Sequence, residues 1–165
     1  WFGSHTTALL SSLREALTAM GDDWGRCHLF VEPNRSHEVK ELFKSLPHCT
    51  VEPVGDRYIG SLLKSKVALI YGGYNSILDV LALNRPALVV LRATRDREQQ
   101  EHLELLQRSV GDALQAVEEE AVSGPLLAEK LRLLLDEQPG DAPVIDCGGA
   151  ERTAAYLHGL LQEQS

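Results

Sequence analysis

Short aliphatic runs alternate with amphipathic stretches along most of this chain. Runs at residues 27–31, 50–54, 67–70 and 86–91 are each four to six residues long and bounded by turn-forming residues, as strands are. Between them, apolar positions recur at helical spacing: Leu9, Leu10, Leu13, Ala16, Leu17 and Met20 first, then Val39, Leu42, Phe43 and Leu46, then Ile59, Leu62 and Leu63. A further helix is expected from about Ser76 to Leu83, and another over residues 122–135. Parallel neighbours need crossover connections, so strands that alternate with helices predict a mainly parallel sheet with helices on both faces. The expected fold class is therefore doubly wound α/β. The 27–31 run reads as a strand buried on both faces.

Punctuation supports these boundaries. Gly21 reads as a helix stop, Pro33 and Asn34 close the first strand, and Pro47 ends the second helix. Beyond residue 91 the pattern is a polar helix over 96–108 with Leu103 and Leu106 facing inward, then a short edge strand over 113–117. Residues 139–143 break the chain, 144–146 are a brief apolar run, and Gly148 with Gly149 introduces a last helix carrying Ala154, Tyr156, Leu157 and Leu160. No internal repeat is present. With 165 residues, 44% hydrophobic and 24% charged, the whole chain reads as a single domain with one sizeable core.

A net charge of −8 opposes binding to nucleic acid or an anionic membrane, both of which need a basic face, and favours a small-molecule partner. Cys27, Cys49 and Cys147 are scattered and odd in number, offering neither a disulfide framework nor a metal knuckle, so a reducing cytoplasm is the expected setting. No apolar run is long enough to span a bilayer, and residues 1–7 lack the features of a secretory leader.

In doubly wound sheets ligands sit outside the carboxyl ends of the strands, which selects the loops after Phe2, Val31, Val54, Ile70 and Leu91. The run Ile70, Tyr71, Gly72, Gly73, Tyr74, Asn75, Ser76 reads strand, glycine turn, helix start. Glycines let backbone approach a ligand closely, and the amides and dipole of a helix start favour a diphosphate. Asn75 or Ser76 is expected to cap that helix. Asp79, four residues past Asn75 on the same helical face, suits ribose hydroxyls. The plainer alternative is a tight βα turn and nothing more.

Two other stretches compete for attention. Arg95, Asp96, Arg97, Glu98, Gln99 and Gln100 offer the donors and acceptors that sugar hydroxyls require, although such a run is ordinarily a solvated helix start. Phe2, Gly3, Ser4, His5, Thr6 and Thr7 precede the first helix and read as the end of a strand that begins outside this chain, with a second anion-facing loop. Thr6 and Thr7 can also be simple caps, and His5 a solvated histidine. Spacing supports no Ser/His/Asp triad, Cys/His pair or metal motif. Cys27 and His28 read as core or rim residues, Trp24 as packing, and His102 as exposed or lining the same pocket as Glu98.

Three stretches resemble the carboxy-terminal domain of MurG-like GT-B glycosyltransferases, the family 28 type, and especially bacterial predicted glycosyltransferases. These are Gly72-Gly73-Tyr74-Asn75-Ser76 with Asp79 and the strand Arg85-Pro86-Ala87-Leu88-Val89-Val90; Arg97-Glu98-Gln99-Gln100; and Ile145-Asp146-Cys147-Gly148-Gly149-Ala150. The resemblance implies a Rossmann-like half of a GT-B fold that binds a nucleotide-sugar, with a UDP-sugar the expected donor and neither metal nor cofactor needed. By the same similarity Gly72 to Ser76, with Gly3 and Ser4, hold the donor diphosphate, Asp79 the ribose, Pro53 and Val54 the base, and Glu98, Gln99 and Gln100 the transferred hexose or N-acetylhexosamine. The family has glutamate where Asp79 stands, and its enzymes have two such domains, whereas this chain has length for one. The acceptor domain is then expected in cis or as a separate subunit, and no catalytic base is assigned here. Nucleotide-sugar hydrolysis or epimerisation, and a non-catalytic Rossmann-like interaction domain, remain open alternatives.

Overall fold

The computed structural model describes residues 5–92, 101, 103, 104, 106, 111–136 and 148–163. In order these are α1 (His5–Met20), β1 (Cys27–Val31), α2 (Ser36–Phe43), β2 (Cys49–Pro53), α3 (Arg57–Lys64), β3 (Ala68–Tyr71), α4 (Tyr74–Ala82), β4 (Ala87–Leu91), β5 (Leu114–Glu118), α5 (Gly124–Asp136) and α6 (Gly149–Glu163). Every strand pairing is parallel. β1 pairs with β2, and β4 lies between β3 and β5, giving a two-stranded and a three-stranded sheet. The fold is Rossmann-like α/β, with helices on both faces.

Period-2 alternation in β4 divides the core into two layers. Leu88 and Val90 join a cluster with α1, α2 and α5, where Leu9, Leu13, Phe43, Leu127 and Leu134 are buried; Leu29, Val31 and Val51 bring the two-stranded sheet into that same layer. Ala87, Val89 and Leu91 face the other layer, packed by Leu62 of α3, by Ile77, Val80 and Leu81 of α4, and by Leu103. Leu103 is helical and buried, and Leu106 is half-buried against it, as the inward-facing pair of residues 96–108 requires.

β1 departs from its expected burial. Leu29 and Val31 are buried, whereas His28 is exposed and Phe30 half-buried. The helices of the second layer pack over β3 to β5, so the other face of β1 is met by an edge-on contact from Tyr58 to Phe30, at 5.6 Å between ring centroids. Trp24 packs as expected, its indole N–H donating to the Leu17 carbonyl at 2.9 Å. Residues 144–146 and Cys147 lie outside the described residues. α6 forms after Gly148, but its side chains from Ala150 to Gln162 are exposed.

Local chemistry sets where helices stop. Gly21 follows α1 at φ 62°, the left-handed conformation that only glycine adopts without strain. α4 ends on Asn84 at φ 49°, with the Asn84 N–H on Leu81 O at 3.0 Å and the Arg85 N–H on Val80 O at 2.8 Å. That pair of bonds satisfies the last carbonyls of the helix. Arg85 then reaches from Leu83 O to Ser65 O, tying the end of α4 to the end of α3. Arg85 thus has a structural role.

Leu88 is 0% exposed at the centre of the three-stranded sheet. Leu88→Ala is expected to destabilise the fold by about 3 kcal/mol, since lost burial and a residual cavity add. Leu161→Ala on α6, where the side chain is 68% exposed, should change stability by less than about 0.5 kcal/mol. Denaturant midpoints of the two variants check both values.

Candidate functional site

The parallel strands place their carboxyl ends on one edge of each sheet, and residues just beyond those ends form the candidate site. β3 ends at Tyr71. The Gly72 N–H continues the ladder onto Val90 O at 2.9 Å, and the Gly73 N–H turns back onto Tyr71 O at 2.8 Å. Both glycine amides are thereby engaged within the turn. α4 starts two to three residues earlier in the chain than the capping expectation allows: Gly73 is its N-cap, extended at φ −72° and ψ 136°, with no side-chain capping bond. Asn75 and Ser76 lie inside the first turn and do not cap, because the chain already enters helical geometry at Tyr74. The Ile77 N–H is the first to close back, onto Gly73 O at 3.1 Å. In an α-helix the first-turn amides have no intrahelical acceptor, and in α4 those of Asn75 and Ser76 lie ahead of that first closing bond.

Gly72 is buried, whereas Gly73, Tyr74 and Asn75 are exposed. A Cβ added to Gly73 would meet no heavy atom within 4 Å, and its φ lies where any residue is comfortable. The fold does not require glycine at this position.

Asp79 is half-buried one turn further along α4. It faces Tyr58 of α3, whose phenol is raised above its ordinary pKa by burial and then by the neighbouring Asp79 carboxylate. Phe30, Tyr58 and Asp79 therefore form a continuous path from β1 to α4. Pro53 ends β2, and the Val54 N–H donates to Val31 O at 2.9 Å; both residues are exposed, Val54 to 56%. They lie at a carboxyl end like the glycine loop, but of the other sheet. Gly3, Ser4, Glu98, Gln99, Gln100 and His102 lie outside the described residues.

Sequence reasoning missed the group that ties these strand ends together. The Tyr71 hydroxyl donates to Glu119 Oε1 at 2.7 Å, just beyond β5, and the Arg92 guanidinium, just beyond β4, stacks over the Tyr71 ring at 4.6 Å. The contact joins a cation to the electron-rich face of the ring. The phenol is pushed up to about 12, first by burial and then by its bond to Glu119. On the other side, Arg35, beyond β1, donates to Thr7 Oγ1 at 2.8 Å and pairs with Glu38 at 2.9 Å. α1 already begins at His5, so Thr6 and Thr7 sit within its first turn instead of capping it. Thr6 is buried within reach of Tyr71, and Thr7 is held by Arg35. The start of α1 is thus fixed beside strand ends of both sheets. Arg35 carried a usable signal, its place just after a strand and a Pro-Asn stop; Glu119 did not, since it stands in a run of three glutamates that reads as solvated surface.

Among the described residues, no group of three or more His, Cys, Asp or Glu side chains is arranged to hold a metal ion, and no helix is long and apolar enough to cross a membrane. Compared with known proteins, the chain matches no family model and no curated sequence.

Tyr71 is expected to ionise late, near pH 12. Its folded-state value is raised, so the stability it contributes is complete below about pH 10, where the unfolded phenol stays protonated, and is lost as pH rises through about 12. Phenolate absorbance should show this late phase, and Tyr71→Phe should abolish it. An unchanged late phase in that variant would place the raised group elsewhere.

Proposed function

We propose that the chain is the donor-binding domain of a glycosyltransferase and holds the diphosphate of a nucleotide-sugar against the first turn of α4. The observation that carries this reading is Gly73. It opens α4 at a strand's carboxyl end, yet neither backbone conformation nor packing demands glycine there. Glycine is one of several residues that suit an N-cap, and at a strand's carboxyl end it also lets a ligand approach the backbone closely. The first-turn amides and helix dipole meet the anion, and the guanidinium groups of Arg35 and Arg92 at the neighbouring strand ends add positive charge to an otherwise acidic chain.

On this reading Asp79 accepts the ribose hydroxyls, with Tyr58 holding its carboxylate in place. Pro53 and Val54 border the base, and Glu98, Gln99 and Gln100 contact the sugar. A UDP-sugar is the favoured donor. In the reaction an acceptor hydroxyl attacks the anomeric carbon, the bond to the β-phosphate oxygen breaks, and the nucleoside diphosphate departs with its new charge held by α4. Such stabilisation of a leaving group by fixed dipoles needs no metal in principle. The base that takes the acceptor proton belongs to an acceptor domain, in cis or as a partner subunit.

Titration calorimetry with UDP-, GDP- and TDP-sugars tests the proposal. One donor series should bind, and Gly73→Val should weaken it at least about tenfold, a loss of roughly 1.4 kcal/mol, while the variant stays folded and loses no more than about 1 kcal/mol of stability, the cost of a poorer N-cap. No binding to any donor at millimolar concentration, or unchanged affinity in Gly73→Val, would overturn it.

A further inference from the structure

Away from the glycine loop, Cys27 opens β1 and Cys49 opens β2, and the two stand opposite each other in the parallel register. Opposed residues on neighbouring strands point to the same face, and strands about 4.8 Å apart bring their Cα atoms within the span of about 4.4–6.8 Å that a disulfide bridges. Both thiols are half-buried against the layer formed by α1, α2 and α5. The Cys27 N–H is bonded to His48 O at 3.0 Å and the Cys49 N–H to Leu46 O at 3.1 Å, so both residues sit where turns enter the strands, with only one side of each continuing into the ladder. That placement leaves room for the small adjustment that drawing the two Cβ atoms together requires.

The two thiols also differ chemically. The neighbouring Cys49, then burial, pushes the Cys27 thiol well above its ordinary range, and the neighbouring Cys27 holds the Cys49 thiol below it. The thiolate is the reactive form of cysteine, so the pair contains one nucleophile and one protonated partner beside it.

We propose that Cys27 and Cys49 form a peroxide-sensitive pair that closes reversibly to an intramolecular disulfide, with Cys49 attacking and Cys27 resolving. In the first step the Cys49 thiolate attacks one oxygen of hydrogen peroxide, the O–O bond breaks, and Cys49 sulfenic acid and hydroxide result. In the second, the Cys27 sulfur attacks the Cys49 sulfur, the S–O bond breaks, and the Cys27 proton leaves with that oxygen as water. Two thiols are oxidised and one peroxide is reduced to water. A dithiol reductant reverses the change by thiol–disulfide exchange. The pair lies at the amino ends of β1 and β2, the opposite end from Gly73, so it does not depend on the donor-binding reading.

Peptide mapping of the full chain after hydrogen peroxide treatment and alkylation tests the proposal. Trypsin releases Cys27 in the peptide 27–35 and Cys49 in the peptide 45–57. The expected product is a species linking these two peptides that dithiothreitol separates. In Cys27→Ser, dimedone should label peptide 45–57 as the trapped sulfenic acid; in Cys49→Ser, loss of the Cys27 thiol should slow at least tenfold. Circular dichroism confirms that each variant is folded. Linkage chiefly to Cys147, full alkylation of Cys27 and Cys49 after peroxide, or dimedone labelling of Cys27 in preference to Cys49 would overturn it.

Discussion

Burial of β4 on both faces is the constraint from which the rest of the molecule follows. Ala87, Leu88, Val89 and Val90 are each 0% exposed, and their alternation directs consecutive side chains into separate core layers. Burying a Leu or Val side chain contributes roughly 1.5–3 kcal/mol relative to leaving it in water, so these few residues hold both layers of helices against the sheet. A strand covered on both sides needs neighbours that are also covered. Parallel partners whose connections cross each face provide that, as β3 and β5 do. Once β3 and β4 are parallel neighbours, the turn after Tyr71 has to deliver the chain into α4 at the carboxyl edge of the sheet.

Chemistry collects at that edge for the same reason. Each strand that feeds a helix leaves a helix start there, and those of α1 and α4 carry partial positive charge. Tyr71 ties the edge together. One side chain links the ends of β3, β4 and β5 through Arg92 and Glu119, and Thr6 brings the first turn of α1 against it. The glycine turn is therefore anchored on one side by a clamp and on the other by the Gly72–Val90 ladder bond, while Gly73 stays open. A fixed frame with one uncrowded glycine suits a site that must present amides to an anion without rearranging.

Much of this was legible in the residues because burial writes itself as periodicity. The all-aliphatic 86–91 run matches a strand covered on both faces, and the 3.6-residue repeat in Leu9, Leu13, Ala16 and Leu17 matches the buried stripe of α1. β1 was misjudged because Phe30 is apolar yet only half-covered, and sequence cannot show which face a helix will leave open. At the candidate site, position after a strand singled out Gly73 and Asp79, which lie at the start of α4 and one turn into it. Side chains that meet through tertiary packing were not legible: Tyr71 and Glu119 are 48 residues apart, and Tyr58 approaches Asp79 only once α3 and α4 share a layer. The helix start was misplaced for a similar reason. Asn75 and Ser76 are good capping residues, but the turn closes at Gly73 before they can serve.

An 18.2 kDa chain is small enough for residue-by-residue solution spectroscopy, and the central claim concerns particular backbone amides. Proton–nitrogen correlation spectra recorded while a UDP-sugar is added resolve them directly. The largest shifts should fall on the amides of Tyr74, Asn75 and Ser76, with smaller ones at Asp79 and Val54. Shifts confined to the amino ends of the strands, or a glycine loop that does not respond at saturating donor, would contradict a diphosphate site on α4.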